Sequence, residues 1–239
     1  MAIGHDASVE SHTGTTGSVS QASYSWTHTV VGTARGILVF AFTNADADNN
    51  LSVTYGGVLV PKVAGAQAID TTTEPGRCSA FFLGSGIPAG NQSVVVTRQN
   101  NANTCYAVSI SVTSNSLNTN VPVSSIILLE NNGSLAEQSV NDGSPGTNSL
   151  RFAGIWTGLA GGAPTGANST ALQQIILGAA AAMTTVRETT AGQGARSVGF
   201  TSGTSDDRAA VHLAVVEVPT QLWPDVNMAP YRPAAWGNR

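Results

Sequence analysis

Apolar and β-branched residues recur along the chain in short runs, broken by clusters of Gly, Asn, Ser and Pro. The clear runs are 22–31, 36–44, 51–57, 58–69, 78–84, 92–99 and 105–114, then 123–130, 149–158, 171–179, 183–190, 195–202 and 209–218. Val, Ile, Thr and aromatic residues dominate them, as suits a pleated, packed surface. Some alternate with period two. In SYSWTHTV, Tyr24, Trp26 and His28 fall on one face and Ser23, Ser25, Thr27 and Thr29 on the other. The pair Asn100-Asn101 marks a turn. Only ALQQIILGAAAAM (171–183) has a helical composition, and its Ile pair and Gly178 favour a strand followed by an Ala-rich turn. Many short strands and no long helix predict an all-β chain, an antiparallel β-sandwich of jelly-roll type. No internal repeat and no dividing linker is visible. The pattern ends near Pro219. The expected organisation is an N-terminal arm or edge strand (1–21), one sandwich domain (22–219) and an extended C-terminal arm (220–239).

The surface that goes with these strands is unusual. Charged residues make up 10% of the chain, against roughly 25% in an ordinary soluble domain, and Lys62 is the sole lysine. Ser, Thr, Asn, Gln and Gly must therefore build the solvent face. Such a face carries few charges to desolvate when another protein covers it. A net charge of −4 speaks against a nucleic-acid partner, which needs a basic face for phosphates. The longest apolar run, Ile175 to Met183, is about half a membrane span, so no membrane partner is expected. The opening MAIGHDASVESH lacks a basic stretch followed by an apolar one, and a cytoplasmic origin is expected. Cys78 and Cys105 each open a strand-like run. Two buried thiols are expected, with a disulfide open only if the two strands lie close together.

Candidate chemistry is sparse. GSGIPA (84–89) matches part of a dinucleotide fingerprint but leads through Pro88 and Gly90 into a strand instead of a helix, so it reads as a connection. DADNN (46–50) begins like a calcium loop, yet Leu51 and Gly57 stand where Gly and Glu are required. His5, His12, His28 and His212 form no metal spacing. His212 with Asp206, Asp207 and a serine would be a triad only on paper, since no G-x-S-x-G elbow exposes a nucleophile. No catalytic residue, metal or cofactor is assigned, and no enzyme activity is expected. Tyr24, Trp26, Tyr55 and Trp156 are candidates for a glycan-binding face, with core residues as the competing reading.

One stretch carries a resemblance. SWTHTVVGTARGILVFAFTN, VTYGGVLVPKVAGA, AFFLGSGIPAGNQSVVVT and YAVSISVTSNSLNTNVPV follow in order. This series resembles a β-sandwich domain of structural proteins in tailed bacteriophages. The matching positions are Trp26, His28, Gly32, Arg35, Leu38, Val53 to Gly57, Phe81 to Leu83, Pro88, Gly90, Val94 to Thr97 and Asn120 to Val123. The match covers about residues 22–125, with 149–218 following more weakly. SLNTN replaces the family's usual acidic turn, and AFFLG stands where a Trp-Tyr pair is frequent. The resemblance implies a fold and a virion location, and no catalytic site. It also gives meaning to the last nineteen residues, QLWPDVNMAPYRPAAWGNR, too rich in Trp for a loose tail and too rich in Pro for a strand or helix. The expectation is a capsid decoration protein whose arm lies across the major capsid protein or a neighbouring copy. Trp223, Tyr231 and Trp236 would anchor it, and Arg232 and Arg239 would meet acidic groups. A tail or baseplate component, or an adhesion module for a host surface glycan, are the competing expectations.

Overall fold

The computed structural model describes residues 3–10, 22–32, 34–44, 51–71, 76–98, 105–114, 123–130, 133–135, 137–141, 148–158, 168–177, 181–199 and 201–217. The 220–239 arm with Trp223, Tyr231, Arg232, Trp236 and Arg239 lies outside the described residues, as do the 46–50 and 100–101 turns. The described residues are all-β. The first half holds β1 (Gly4–Glu10), β2 (Ser23–His28), β3 (Gly36–Thr43), β4 (Ser52–Tyr55), β5 (Val58–Val60), β6 (Lys62–Asp70), β7 (Gly76–Leu83), β8 (Gln92–Thr97) and β9 (Cys105–Thr113). The second holds β10 (Val123–Glu130), β11 (Gly133–Leu135), β12 (Gln138–Asn141), β13 (Ser149–Thr157), β14 (Ser169–Leu177), β15 (Ala181–Glu188), β16 (Ala195–Val198), β17 (Thr201–Asp206) and β18 (Arg208–Val216).

These strands stack in layers. A first outer sheet has the order β2-β8-β4-β5, and a first central sheet the order β1-β9-β3-β7-β6. A second central sheet runs β10-β18-β13-β15-β14, and the pairs β12-β16 and β11-β17 complete the set. All pairings are antiparallel. With β6 taken as an added edge strand, the first half is a jelly roll: the first strand lies beside the last, and the second beside the last but one. The strand order then repeats. β10, β12, β13, β14, β15, β16 and β18 take the places of β1, β2, β3, β6, β7, β8 and β9. Two stacked sandwiches thus fill the span that the sequence reads as one, and the hairpin β4–β5 has no counterpart among the described residues of the second half.

Burial explains the stacking. Leu38, Phe40, Phe42, Tyr106, Val108 and Ile110 of the first central sheet pack against Leu150, Phe152, Trp156, Met183, Val211 and Leu213 of the second. On its other face the first central sheet places Ile37, Val39, Phe81 and Ala107 against Tyr55, Val60, Val94 and Val96 of its outer sheet. The second places Ala153, Ile155, Val186 and Ala210 against Val140 and Val198 of β12 and β16. The inner strands are consequently buried along their whole length instead of alternating: β3, β7, β13 and β18 have no exposed position. Two glycines let the halves approach. A Cβ on Gly154 would come 2.4 Å from the Phe40 ring, and one on Gly76 would come 2.1 Å from the Trp156 indole.

The predicted run 58–69 is two strands in different sheets. Pro61, with no N–H to give a ladder, stands where the chain crosses from β5 in the outer sheet to β6 in the central one. Gly56 and Gly57, at φ 55° and 80°, make the tight β4–β5 turn that the TYGG motif predicts. Residues 171–177 of the ALQQIILGAAAAM stretch are strand, within β14, as the sequence predicts; the turn expected after them falls on residues 178–180, outside the described residues.

Candidate functional site

A connected set of polar side chains lies between the first outer sheet and the first central sheet. Strand β2 turns Tyr24, Trp26 and His28 inward and Ser23, Ser25 and Thr27 to solvent. His28 is fully buried, with Nδ1 2.8 Å from Ser109 Oγ and Nε2 3.0 Å from Ser111 Oγ, both on β9. Ser111 donates to Asp6 Oδ2 at 2.8 Å and accepts from the Ala7 amide at 3.2 Å. Ser109 accepts from Trp26 Nε1 at 3.0 Å and lies 3.1 Å from the Val9 carbonyl. Asp6 accepts from the amides of Gly32 (2.5 Å) and Val31 (3.2 Å). A β-bulge in β1 between His5 and Ala7 aims Asp6 at these partners.

Proton counting assigns the ring. Ser111 has one hydroxyl proton and gives it to the Asp6 carboxylate, the stronger acceptor, so Nε2 must carry a hydrogen and donate to Ser111. Nδ1 then accepts from Ser109, its closer partner. The ring is neutral, and burial pulls its pKa from 6.5 down to about 4.

Serine, histidine and aspartate are the residue types of nucleophilic catalysis, but this geometry does other work. Asp6 reaches the imidazole only through Ser111, so it does not orient the ring as a triad carboxylate would. Ser109 is fully buried, its oxygen already contacting Trp26 and His28, and no substrate can approach it. The constellation ties β1, β2, β9 and the 30–32 loop together. Nearby, Tyr24 Oη meets Cys105 Sγ at 2.6 Å, and the Tyr55 ring stands edge-on to His28 with centroids 6.0 Å apart.

The second half has its own brace at the corresponding layer boundary. Arg151 of β13 and Glu188 of β15, both fully buried, pair at 2.9 Å. Arg151 also donates to the carbonyls of Val140 (2.9 Å), Gly192 (3.2 Å) and Gly194. Arg196 of β16 stands 3.4 Å from the other Glu188 oxygen. Sequence reasoning missed this cluster, since neither residue lies in a motif. Ser114, just past β9, donates to Glu217, just past β18, at 2.6 Å and joins the two halves.

The aromatic residues expected at a glycan face are in the core. Tyr24, Tyr55 and Trp156 are buried, and half-buried Trp26 stacks on Tyr24 with its N–H turned inward to Ser109. They offer no shared platform to a sugar, because the alternation that made them look available turns that face to the neighbouring sheet. The two cysteines do not form a disulfide: β7 and β9 flank β3, and Cys78 faces the core between the halves while Cys105 faces the first outer sheet. Burial raises the Cys78 pKa. His212 sits in the middle of β18, buried between Ile127 and Ala153, whereas Asp207 precedes the strand, about 16 Å away along extended backbone. A cleft of about 360 Å³ opens beside the 30–35 and 87–90 segments, with Arg35, Ile87 and Pro88 in its lining. The Arg35 amide bonds to Val112 O at 2.7 Å, so its backbone fixes the start of β3. Among the described residues no three His, Cys, Asp or Glu side chains gather as metal ligands. No protein-family model, curated protein or solved structure matches the chain.

Proposed function

We propose that this chain is a non-enzymatic structural protein of a tailed-bacteriophage particle, a capsid decoration protein held by its 220–239 segment. The observation that supports the reading best is the jelly-roll strand order of the first half, an architecture that viral coat proteins use and lectins share. Fold alone does not give function, so three further features are needed. The polar constellations brace sheets instead of facing a cleft. The surface is poor in charge, at 10% of residues, and so costs little to cover with another protein. The tail concentrates Trp223, Tyr231, Trp236, Arg232 and Arg239 within a Pro-rich segment, the residue types that carry interface energy on a chain with little freedom to lose. The burial of Tyr24, Tyr55 and Trp156 weighs against the glycan-binding alternative.

The test is copy number and position in purified particles, by quantitative mass spectrometry with cryo-EM. Many copies over the head, lost when residues 220–239 are deleted from an otherwise folded chain, are expected. A few copies at the tail tip would make it a tail component. A truncated chain that still joins the head would remove the role given to the arm.

A further inference from the structure

The cleft beside the 30–35 and 87–90 segments lies at the end of the molecule where the chain leaves β18. Glu217, one residue past β18, accepts a hydrogen bond from Ser114, and Ser114 follows Val112 by two positions, at most ~7 Å of chain. The Val112 carbonyl in turn takes the Arg35 amide. Val30, Ala34, Ile87, Pro88 and Ala89 give the cleft an apolar lining, and Arg35 is the charged residue set among them. Val31, between two lining residues, is 81% exposed. Among the described residues, Arg35 is also the one positive side chain without a hydrogen bond or ion pair. Lys62 meets Gln67, Arg187 and Arg196 meet carbonyls, Arg151 meets Glu188, and Arg77, Arg98 and Arg208 have partners too. Asp6, which binds the same loop, spends its oxygens on the Val31 and Gly32 amides and on Ser111.

We propose that this cleft is the seat of the chain's own Trp223-Pro224-Asp225: the Asp225 carboxylate pairs with Arg35 while Trp223 covers the apolar lining. The chemistry of the two matches. Asp225 is the sole acid in 220–239 and stands two residues from an aromatic side chain, just as the cleft sets one cation among apolar residues. Pro224 biases Trp223 to extended backbone, so little freedom is lost on seating. At about 360 Å³ the cleft is at the small end of ligand sites, and suits a pair of side chains better than a large ligand. The reach is sufficient. Glu217 is separated from Arg35 by the Ser114 contact, two positions of chain and one strand spacing of about 4.8 Å. The six residues from Glu217 to Trp223 and the eight to Asp225 span up to ~20 Å and ~26 Å. A group tethered this closely is present at an effective concentration on the order of mM, so a seat of modest affinity is filled by its own chain before a dilute second copy reaches it. Trp223 then belongs to the root of the arm, and Tyr231, Arg232, Trp236 and Arg239 remain for the capsid or a neighbouring copy. The seat needs no partner, so it stands or falls apart from the decoration reading.

The experiment is fluorine NMR of the full chain carrying 5-fluorotryptophan, with the Trp223 resonance assigned by its loss in Trp223→Phe. In the wild type that resonance should be shielded from solvent, with a small shift between light and heavy water, and the same at every protein concentration. Arg35→Glu and Asp225→Arg should each lower the seating equilibrium about tenfold, the size of a lost ion pair together with like-charge repulsion, and move the resonance toward its exposed position. The two changes combined reverse the pair and should restore the shielding. Arg35 is exposed, and the resonance of Trp156, fully buried between the halves, should stay in place and show that each variant is folded. A Trp223 that is open to solvent in the wild type would overturn the seat, and that measurement needs no charge variant. So would shielding that survives Arg35→Glu, or that the reversed pair fails to restore. Shielding that grows with concentration would give the cleft to a second copy and overturn the seat within one chain.

Discussion

The two halves share a strand order but tie their layers with different chemistry. In the first, the outer sheet is held to the central one by neutral groups: an imidazole, two serines and an indole, with one carboxylate at the margin. In the second, a buried guanidinium and carboxylate do the same between β13, β12 and the 192–194 turn. The difference follows from what each outer layer supplies. Strand β2 brings long side chains inward, and β9 needs only hydroxyls to meet them. Strand β12 is four residues long and offers the Val140 carbonyl, and the central sheet sends the long donor to it. Arg suits that task because its fork satisfies several carbonyls at once. The topology requires a tie between layers and leaves its chemistry free.

The charged brace is the more vulnerable. Glu188→Gln leaves Arg151 buried without a counter-charge, and urea unfolding should show a loss of about 3–5 kcal/mol. Replacing both residues by Met should cost much less than the single change, because a removed pair strands no charge. A double-mutant cycle in which the effects simply add would break the comparison.

The neutral brace should fail through pH. The folded His28 pKa lies below its ordinary value, so its contribution is full above 6.5 and disappears as pH falls through about 4. The loss over that window is roughly 3 kcal/mol for the whole shift. Stability curves of the wild type and His28→Gln should diverge there.

A smaller effect probes what the halves share. Gly154→Ala places a methyl 2.4 Å from Phe40 of the other half, and a loss of about 1–3 kcal/mol is expected. Both halves should lose exchange protection together; loss confined to the second would mean that they are separate units. Leu59→Ser, at a position 61% exposed on a strand with no counterpart among the described residues of the second half, should change stability by less than about 0.5 kcal/mol.

Much of this was legible in sequence. The strands β3, β9 and β13 lie within a residue of the apolar runs, because buried strands read as continuous apolar stretches. The inward face of β2 was visible in its alternation, but alternation does not say whether a face meets solvent or another sheet. The repeat was hidden for the same reason. A strand buried on both faces asks only for apolar residues, so GILVFAFT and SLRFAGIWT can fill equivalent places with little identity. The braces were illegible because their members are far apart: Asp6, His28 and Ser111 come from three strands, and Arg151 and Glu188 from two. Short β11, β12 and β17 lacked a long apolar run to announce them.

The claim that the polar groups hold sheets together instead of performing chemistry is tested most directly at one ring. Nitrogen-15 NMR of the histidines across pH would report the tautomer, charge and solvent exchange of His28. The brace predicts a neutral ring with hydrogen on Nε2, slow to exchange, unchanged from pH 8 to about 5.5 and titrating near 4. A ring that titrates near 6.5, or whose proton exchanges freely with water at pH 7, would contradict it.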